Sequence, residues 1–279
     1  MRPDVGESRV RTVGPGLHIV ENEPLERILF ERGLIGLPHR RACFAASRLF
    51  LAHLADDLTD AAELLILSKG LAYQLAAAAD SVEIDLPTNL VATTRVDVVA
   101  DDAKIDVSYA RFDAGKPCLV VGDTVASGAT VVAALDAYRQ VHRLERLFLL
   151  SYAGSAVGAR RIAEFCARSR IECTILYGLA AFGLGANGFD LSFTHPDTVT
   201  ADVYRERARR LYGDRQVSSV GWDFGSQSMA PDKYRELSWL EARAHGLLDS
   251  PEFSFAREPR DLARLARESA AFGDPVDPC

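Results

Sequence analysis

Short apolar runs and helically spaced apolar positions alternate through the middle of the chain. Cys43, Ala46 and Phe50, for example, are three or four residues apart and fall on one face of a helix. The pattern predicts, in chain order, helix 41–57, strand 64–67, helix 71–80, strand 118–121, helix 129–141, strand 146–151, helix 156–169 and strand 171–177. Strands that alternate with helices indicate an α/β fold, with a central parallel sheet flanked by helices on both faces.

Residues 88–112 follow a different pattern. Polar residues alternate with β-branched apolar residues along this segment, and the pair Asp101-Asp102 lies in its middle. A period of two is typical of a strand with one exposed face, and adjacent Asp residues favour a turn. The segment therefore predicts a long antiparallel β-hairpin.

The two ends of the chain differ from this middle part. The first dozen residues have no clear pattern and are expected to form a loose arm. After about residue 178, Gly, Asn, Asp and Pro are frequent, and charged amphipathic helices are predicted at 201–212, 232–246 and 258–272. We therefore expect three parts, which are an N-terminal arm that forms part of a hood (1–40), an α/β core (41–177) and a C-terminal helical cap (178–279).

Composition and charge narrow the function classes. Of the 279 residues, 48% are hydrophobic and 25% are charged, and the formal net charge of −7 disfavours general binding to nucleic acid. No apolar run approaches the roughly 18–20 residues that span a bilayer, so no membrane partner is expected. The five Cys residues are scattered without a CxxC pair and the N-terminal residues lack an apolar signal segment, which favours reduced thiols in the cytoplasm.

Parallel sheets bind ligands in the loops at the carboxyl ends of their strands, here the loops after Leu67, Val121 and Leu150. The loop after Val121 continues as GDTVASGAT and runs into a helix. Free N–H groups and the helix dipole favour an anion at such a helix start, and Ser127 and Thr130 add hydroxyl donors. Asp123 precedes them, and its carboxylate suits a sugar hydroxyl or Mg²⁺. Together these features indicate a phosphorylated sugar. The alternative is a plain turn in which Ser127 or Thr130 caps the helix.

The segment LVVGDTVASGAT resembles the 5-phosphoribosyl diphosphate (PRPP) motif of type I phosphoribosyltransferases, which is an apolar strand, two acidic residues and a loop of small residues and hydroxyls. The resemblance implies that Asp123 holds a ribose hydroxyl and contacts Mg²⁺ indirectly. It also implies that the ribose 5-phosphate is held by Ala126, Ser127, Gly128, Ala129 and Thr130. Gly122 departs from the motif because it replaces the first acid, which predicts an altered ribose grip or metal geometry. The 6-oxopurine branch usually has an acid where Ala126 stands, so hypoxanthine or guanine is a less expected acceptor.

Two upstream segments match the family's order of loops. Ser68, Lys69 and Gly70 follow a predicted strand, and the resemblance places them on the diphosphate of PRPP. The hairpin at 88–112 corresponds to the flexible catalytic loop and carries Arg95 and Lys104. Asp123, Lys69, Arg95 and Lys104 are thus the predicted catalytic residues. The alternatives are a solvated Lys in a turn and an ordinary exposed hairpin.

Residues 183–188 read GLGANG and formally match the dinucleotide pattern GxGxxG. Pro196 lies where the required helix would run, which disfavours that interpretation. The family uses this late region to hold the acceptor, so the resemblance implies a flexible acceptor loop. The candidates there are Phe182, Phe189, Phe193, His195 and Asp197. The alternative for each is a core aromatic or a surface turn.

The resemblance implies a PRPP-dependent glycosyltransferase (a pentosyltransferase) of nucleotide metabolism. It would need Mg²⁺, transfer the phosphoribosyl group to an unidentified small-molecule acceptor, release diphosphate and form a homodimer. A non-catalytic PRPP- or nucleotide-sensing regulator on the same fold is the main alternative, although no basic helix-turn-helix pattern is evident. A hydrolase of phosphosugars or nucleotides is a third possibility, and the missing GxxxxGK[ST] motif disfavours an NTPase.

Overall fold

The computed structural model describes residues 8–31, 34, 36–67, 69–96, 104–185, 188 and 191–212. Its centre is an eight-stranded sheet with the strand order β1 (Arg9–Gly14), β2 (Leu17–Glu21), β9 (Glu172–Gly178), β7 (Arg146–Ser151), β6 (Cys118–Gly122), β3 (Ala61–Ile66), β4 (Thr88–Val96) and β5 (Lys104–Arg111). The six inner strands are mutually parallel, and the edge strands β1 and β5 are antiparallel to their neighbours. The predicted α/β architecture is confirmed.

Helices cover both faces of this sheet. They are α1 (Glu23–Phe30), α2 (Gly36–Leu54), α3 (Leu75–Asp80), α4 (Ala129–Arg139), α5 (Ala156–Ser169) and α6 (Asp202–Tyr212). One core contains side chains of α1, α2, α3 and α6, and the other contains those of α4 and α5. Alternate residues of β6 face the two cores, with Val120 in the first and Val121 in the second. This two-sided burial explains the continuous apolar runs of β6 and β7.

The predicted helix at 71–80 is wrong in its first half. A 3-10 turn spans Lys69–Tyr73, and α3 begins only at Leu75. Gln74 separates them with a φ of 50°, in the left-handed region, where a right-handed helix cannot continue. In contrast, the strand predicted at 146–151 and the helix predicted at 156–169 are confirmed at both ends.

The expected loose N-terminal arm is also wrong where the structure describes it. Residues 9–12 lie in β1, and β2 pairs in parallel with β9, with Ile19 opposite Tyr177. Ile19 and Val20 are fully buried. The apolar run of β2 therefore extends the central sheet, and β1 pairs with it across a tight turn. The sheet thus includes residues that the sequence pattern assigns to an arm.

The predicted hairpin at 88–112 is confirmed as β4 and β5, which pair antiparallel from Leu90 to Val96. The Asp101-Asp102 turn lies outside the described residues. The parallel pairing of β4 with β3 ends at Val91, opposite Ile66. Because β4 continues for five more residues, the hairpin projects beyond the carboxyl end of β3.

A small second sheet lies beside the same edge and consists of β8 (Gly154–Ser155), β10 (Ala180–Leu184), β11 (Leu191–Ser192) and β12 (Val199–Thr200). Helix α6 follows and closely matches the helix predicted at 201–212. The helices predicted at 232–246 and 258–272 lie outside the described residues. Within the described part of the chain, no helix combines the length and the apolar character needed to cross a membrane.

Candidate functional site

The loops after β3 and β6 lie side by side at one edge of the central sheet. From β3 the chain passes through α3 to β4, and from β6 it passes through α4 to β7 on the other side. The two helices cover opposite faces, so the connections diverge between β3 and β6. Open α/β sheets bind ligands at such a switch point. Lys69 follows β3 and Asp123 follows β6, so both predicted loops meet there.

Asp123 is held rigidly at the end of β6. It is only 4% exposed, and its N–H donates to Leu150 O at 3.2 Å. Its Oδ1 accepts from the N–H of Thr124 at 2.9 Å. These bonds fix the backbone and one carboxylate oxygen. A carboxylate oriented in this way can accept a hydrogen bond from a sugar hydroxyl.

The chain after Asp123 is fastened to β8 and α5. The N–H of Val125 donates to Ala153 O at 3.1 Å, and the N–H of Ser155 donates to Val125 O at 2.8 Å. The Ser155 hydroxyl donates to Ala126 O and accepts from Gly158 N at 2.8 Å. Ser155 is therefore both the N-cap of α5 and a clamp on the loop at 126–130, a role that the sequence analysis missed. Its one signal was its place directly before the predicted helix.

Gly128 begins α4 in a conformation that only glycine adopts readily. Its φ is +77°, and a side chain there would come within 2.8 Å of Gly158 O. As the N-cap it supplies no side-chain acceptor, and Ser127 Oγ lies 3.5 Å from Ala129 N, at the limit of a hydrogen bond. A glycine N-cap and the long contact from Ala129 N–H to Ser127 Oγ offer little support for a plain side-chain cap by Ser127, and the start of the helix is compatible with an anion. Ala126, Ser127, Ala129 and Thr130 are half-buried.

Lys69 and Gly70 form the start of the 3-10 turn after β3. Lys69 is exposed and Gly70 is buried. A side chain at Gly70 would lie 2.9 Å from Leu65 Cδ1 and 3.3 Å from Gly122 O, so glycine lets this turn pack closely on β3 and β6. Ser68 lies outside the described residues.

Tyr73 and Tyr152 form a buried stack beneath the two loops, which the sequence analysis did not identify. Their ring centroids are 3.9 Å apart at an interplanar angle of 9°. Burial and the charge of Asp123 raise the pKa of Tyr73, and burial raises the pKa of Tyr152. Both hydroxyls therefore stay protonated at neutral pH. Tyr152 does lie in the loop after β7, one of the three that the sequence analysis singled out.

Arg95 and Lys104 lie near the far end of the hairpin. Arg95 is exposed and pairs with Ile105, and the backbone of Lys104 pairs with Val96. Arg95 is four residues past Val91, which is about 13 Å along an extended strand. The hairpin therefore extends from the same sheet edge that carries Lys69 and Asp123.

The structure corrects the expectation that Phe193 stacks on an acceptor. Its ring is fully buried, stacks on Phe30 at 4.7 Å and meets the edge of Phe182 at 4.8 Å. Phe182 is also fully buried, so both rings belong to the core beneath α1 and α6. Phe189 lies outside the described residues.

His195 and Asp197 lie in the turn between β11 and β12. His195 Nδ1 accepts from the N–H of Asp197 at 3.2 Å, so in the neutral ring the proton is on Nε2. A side chain at Gly183 would collide with His195 Nδ1. This contact explains why a glycine lies here, and no dinucleotide-binding role is needed. His195 is half-buried and Asp197 is exposed. The small sheet connects this region to the loop after β6, because Ala181 pairs with Gly154 and Gly154 with Val125.

Two cavities lie away from this edge. A groove of about 580 Å³ separates β5 from α4, and a polar pocket of about 380 Å³ lies beside Lys116 and Asp60. Among the described residues, no group of three or more His, Cys, Asp or Glu side chains could hold a metal ion. Among the described residues at this sheet edge, Asp123 is the buried carboxylate of the candidate site.

No protein-family model matches the chain, and no curated protein matches it in sequence. Solved structures are similar to it in fold. The AQ2163 protein from Aquifex aeolicus is 16% identical, with a TM-score of 0.45 over 61% of this chain and 95% of that one. Adenine phosphoribosyl transferase from Trypanosoma brucei, in complex with AMP, pyrophosphate and ribose-5-phosphate, is 12% identical, with a TM-score of 0.43 over 72% and 99%.

Orotate phosphoribosyltransferase from Aeropyrum pernix is 17% identical, with a TM-score of 0.37 over 56% of this chain and 93% of that one. Other similar structures are also phosphoribosyltransferases for adenine or hypoxanthine. At these identities the similarity concerns the fold alone, so the function rests on the geometry of the site.

Proposed function

We propose that the protein is a PRPP-dependent phosphoribosyltransferase, which transfers the 5-phosphoribosyl group to a small-molecule acceptor and releases diphosphate. The observation that carries this proposal is the meeting of two loops at the switch point between β3 and β6. One loop holds a fixed carboxylate and a helix start, and the other holds a lysine. A phosphorylated pentose with a diphosphate at C1 matches this order of groups.

In this proposal the loop at 126–130 binds the 5-phosphate. Backbone N–H groups at the start of α4 and the hydroxyls of Ser127 and Thr130 would donate to the phosphate oxygens. Asp123 would accept a hydrogen bond from a ribose hydroxyl. The phosphate is remote from the bond that breaks, so this grip serves to align C1 of the sugar.

Lys69, with Ser68 and Gly70, would hold the diphosphate. Departure of diphosphate leaves an oxocarbenium-like C1, so the protein contributes mainly by positioning and by neutralising charge on the leaving group. Arg95 and Lys104 would approach when the hairpin folds over the edge and excludes water. These assignments give each predicted catalytic residue a role that does not require nucleophilic attack by a side chain.

Mg²⁺ fits this site only as an ion carried largely by its ligand. The described residues offer no cluster of three metal-binding side chains, and Asp123 is the buried carboxylate at this edge. Mg²⁺ commonly keeps waters and phosphate oxygens as its ligands, so Asp123 would contact it through water or a ribose hydroxyl. When bound, the ion would neutralise charge on the diphosphate.

The acceptor would bind beside the small sheet, where the Nε2–H of His195 is a candidate donor to a ring nitrogen or carbonyl, and where Asp197 is a further polar group. Ala126 does not provide a base for a 6-oxopurine. We further expect a homodimer in the cytoplasm, without nucleic-acid or membrane partners, in keeping with the acidic net charge and the dispersed Cys residues.

A second candidate function is a regulator that binds PRPP or a nucleotide without turnover. Gly122 favours it, because the motif has an acid at this position.

To separate the two functions, the protein is incubated with PRPP, Mg²⁺ and a panel of purine, pyrimidine and other ring acceptors while diphosphate is measured. Release that depends on one acceptor supports the transferase. Tight PRPP binding without diphosphate release supports the regulator. The absence of both PRPP binding and diphosphate release would exclude both functions.

A further inference from the structure

The ring of Tyr73 fills the space that a side chain at position 122 would need. A Cβ atom built on Gly122 would lie 2.6 Å from Tyr73 Cγ and 2.8 Å from its Cβ and Cδ1. These distances are too short for carbon atoms in contact. Tyr73 is fully buried and cannot swing into solvent without opening the core. An acid at position 122 and this placement of Tyr73 therefore exclude each other.

The ring is anchored by two other parts of the fold, the loop after β7 and helix α2. Tyr73 stacks on Tyr152, and its hydroxyl accepts from the N–H of Tyr152 at 3.0 Å. The Tyr152 hydroxyl donates to Cys43 O on α2 at 2.8 Å and shares a hydrogen bond with Ser47 Oγ at 2.8 Å. Tyr73 is thus tied through the loop after β7 to α2.

Tyr73 is also the last residue of the turn that begins with Lys69, and Gly70 of that turn packs against Gly122 O. Asp123 directly follows Gly122 in the chain. The contact of the ring with Gly122 consequently fixes the distance between the Lys69 turn and Asp123. We infer that Tyr73 is a positioning residue that occupies the place of the missing acid and holds the diphosphate loop in register with the sugar-phosphate loop. This inference rests on the proposed function and specifies how a one-carboxylate site keeps its two loops together.

The first test is a double-mutant cycle of thermal unfolding with Gly122→Ala, Tyr73→Ala and the double variant. Gly122→Ala should lower Tm by roughly 5 °C because its methyl group displaces the ring. In the Tyr73→Ala background the same change should lower Tm by less than half as much. Additive effects would overturn the contact between the two residues. This cycle needs no ligand, so it stands even if the proposed function fails.

The second test measures positioning by calorimetric titration with inorganic diphosphate in Mg²⁺ and, separately, with ribose 5-phosphate. Tyr73→Ala should weaken the binding of diphosphate about tenfold, as Lys69→Ala should, because the charge-assisted contact of Lys69 is misplaced. Its affinity for ribose 5-phosphate should not change. Tyr73→Phe keeps the ring and its stack on Tyr152 and loses only the bond from Tyr152 N–H, so it should weaken the binding of diphosphate less than Tyr73→Ala does.

A Tyr73→Ala protein that loses both ligands equally, or neither, would overturn the inference. Should Tyr73→Ala fail to fold, Gly122→Ala takes its place, since it displaces the same ring and predicts the same selective loss of diphosphate. If the wild type binds neither ligand, the proposed function is wrong, and the unfolding cycle alone decides whether Tyr73 replaces a side chain at position 122.

Discussion

At the scale of single residues, the candidate site depends on one buried carboxylate and on a glycine that no other residue replaces well. The N–H of Asp123 donates to Leu150 O, and its carboxylate accepts from Thr124 N–H. Gly128 combines a positive φ with a close approach to Gly158. Both restraints come from the folded chain and exist before any ligand binds. A site that is organised in advance loses less entropy when its ligand binds.

Asp123→Asn keeps the shape of the side chain and an oxygen that can accept from Thr124, so the fold should be unchanged. The charge that strengthens a hydrogen bond from a ribose hydroxyl disappears, and PRPP affinity should fall about tenfold to a hundredfold. Titration with PRPP measures the effect. Asp136→Asn, an exposed position on α4, is the matched control and should bind as the wild type does. Equal affinities for Asp123→Asn and the wild type would remove Asp123 from the site.

Gly128→Ala should destabilise the protein by about 1–3 kcal/mol and abolish ribose 5-phosphate binding, because the methyl group meets Gly158 O and the backbone is strained. Gly188→Ala is a matched control. It has a similar φ of +75° but open space around it, so it should cost only about 1 kcal/mol and leave binding intact. Chemical unfolding and titration measure both changes. Equal losses of stability for the two variants would show that the approach to Gly158 is unimportant.

At the scale of elements, α5 supports the phosphate loop through its first turn. Ser155 caps the helix and also donates to Ala126 O, so one hydroxyl serves both functions. Ser155→Ala should cost about 1–2 kcal/mol of stability and also weaken the binding of ribose 5-phosphate. Asn22→Ala removes the cap of α1, where Asn22 accepts from Leu25 N at 3.0 Å, and should cost similar stability without changing binding. Unchanged binding by Ser155→Ala would contradict the clamp.

The elements also show what the sequence pattern can predict. Strand β7 and helix α5 are confirmed at both ends because their apolar periodicity reflects burial on the sheet. The break at Gln74 depends on one left-handed residue, and no periodicity encodes it. The order of the two loops was predictable from local pattern and resemblance. The stack of Tyr73 on Tyr152 joins residues 79 positions apart and needed the folded structure.

At the scale of the whole molecule, one buried carboxyl outside the site makes stability depend on pH. Glu63 on β3 is 3% exposed and accepts from the Thr88 hydroxyl at 2.8 Å, and burial raises its pKa. A raised pKa means that the folded protein binds the proton more tightly than the unfolded chain does. The contribution of Glu63 to stability is therefore complete below the ordinary pKa of a Glu and is lost as the pH rises through the folded-state value.

Glu63→Gln should remove this loss. The variant should be more stable than the wild type at pH 7, and this gain should shrink as the pH falls to about 3, where the Glu63 carboxyl is protonated in the folded and the unfolded state. Unfolding midpoints measured across this range give the comparison. A gain that does not change with pH would mean that ionisation of Glu63 plays no part.

Every role proposed for these residues requires that a sugar phosphate binds at the sheet edge between β3 and β6. The most direct measurement is a crystal structure of the protein with ribose 5-phosphate. We predict density for the phosphate at residues 126–130 and a ribose hydroxyl within hydrogen-bond distance of the Asp123 carboxylate. Density at another place, with this loop empty, would contradict the account.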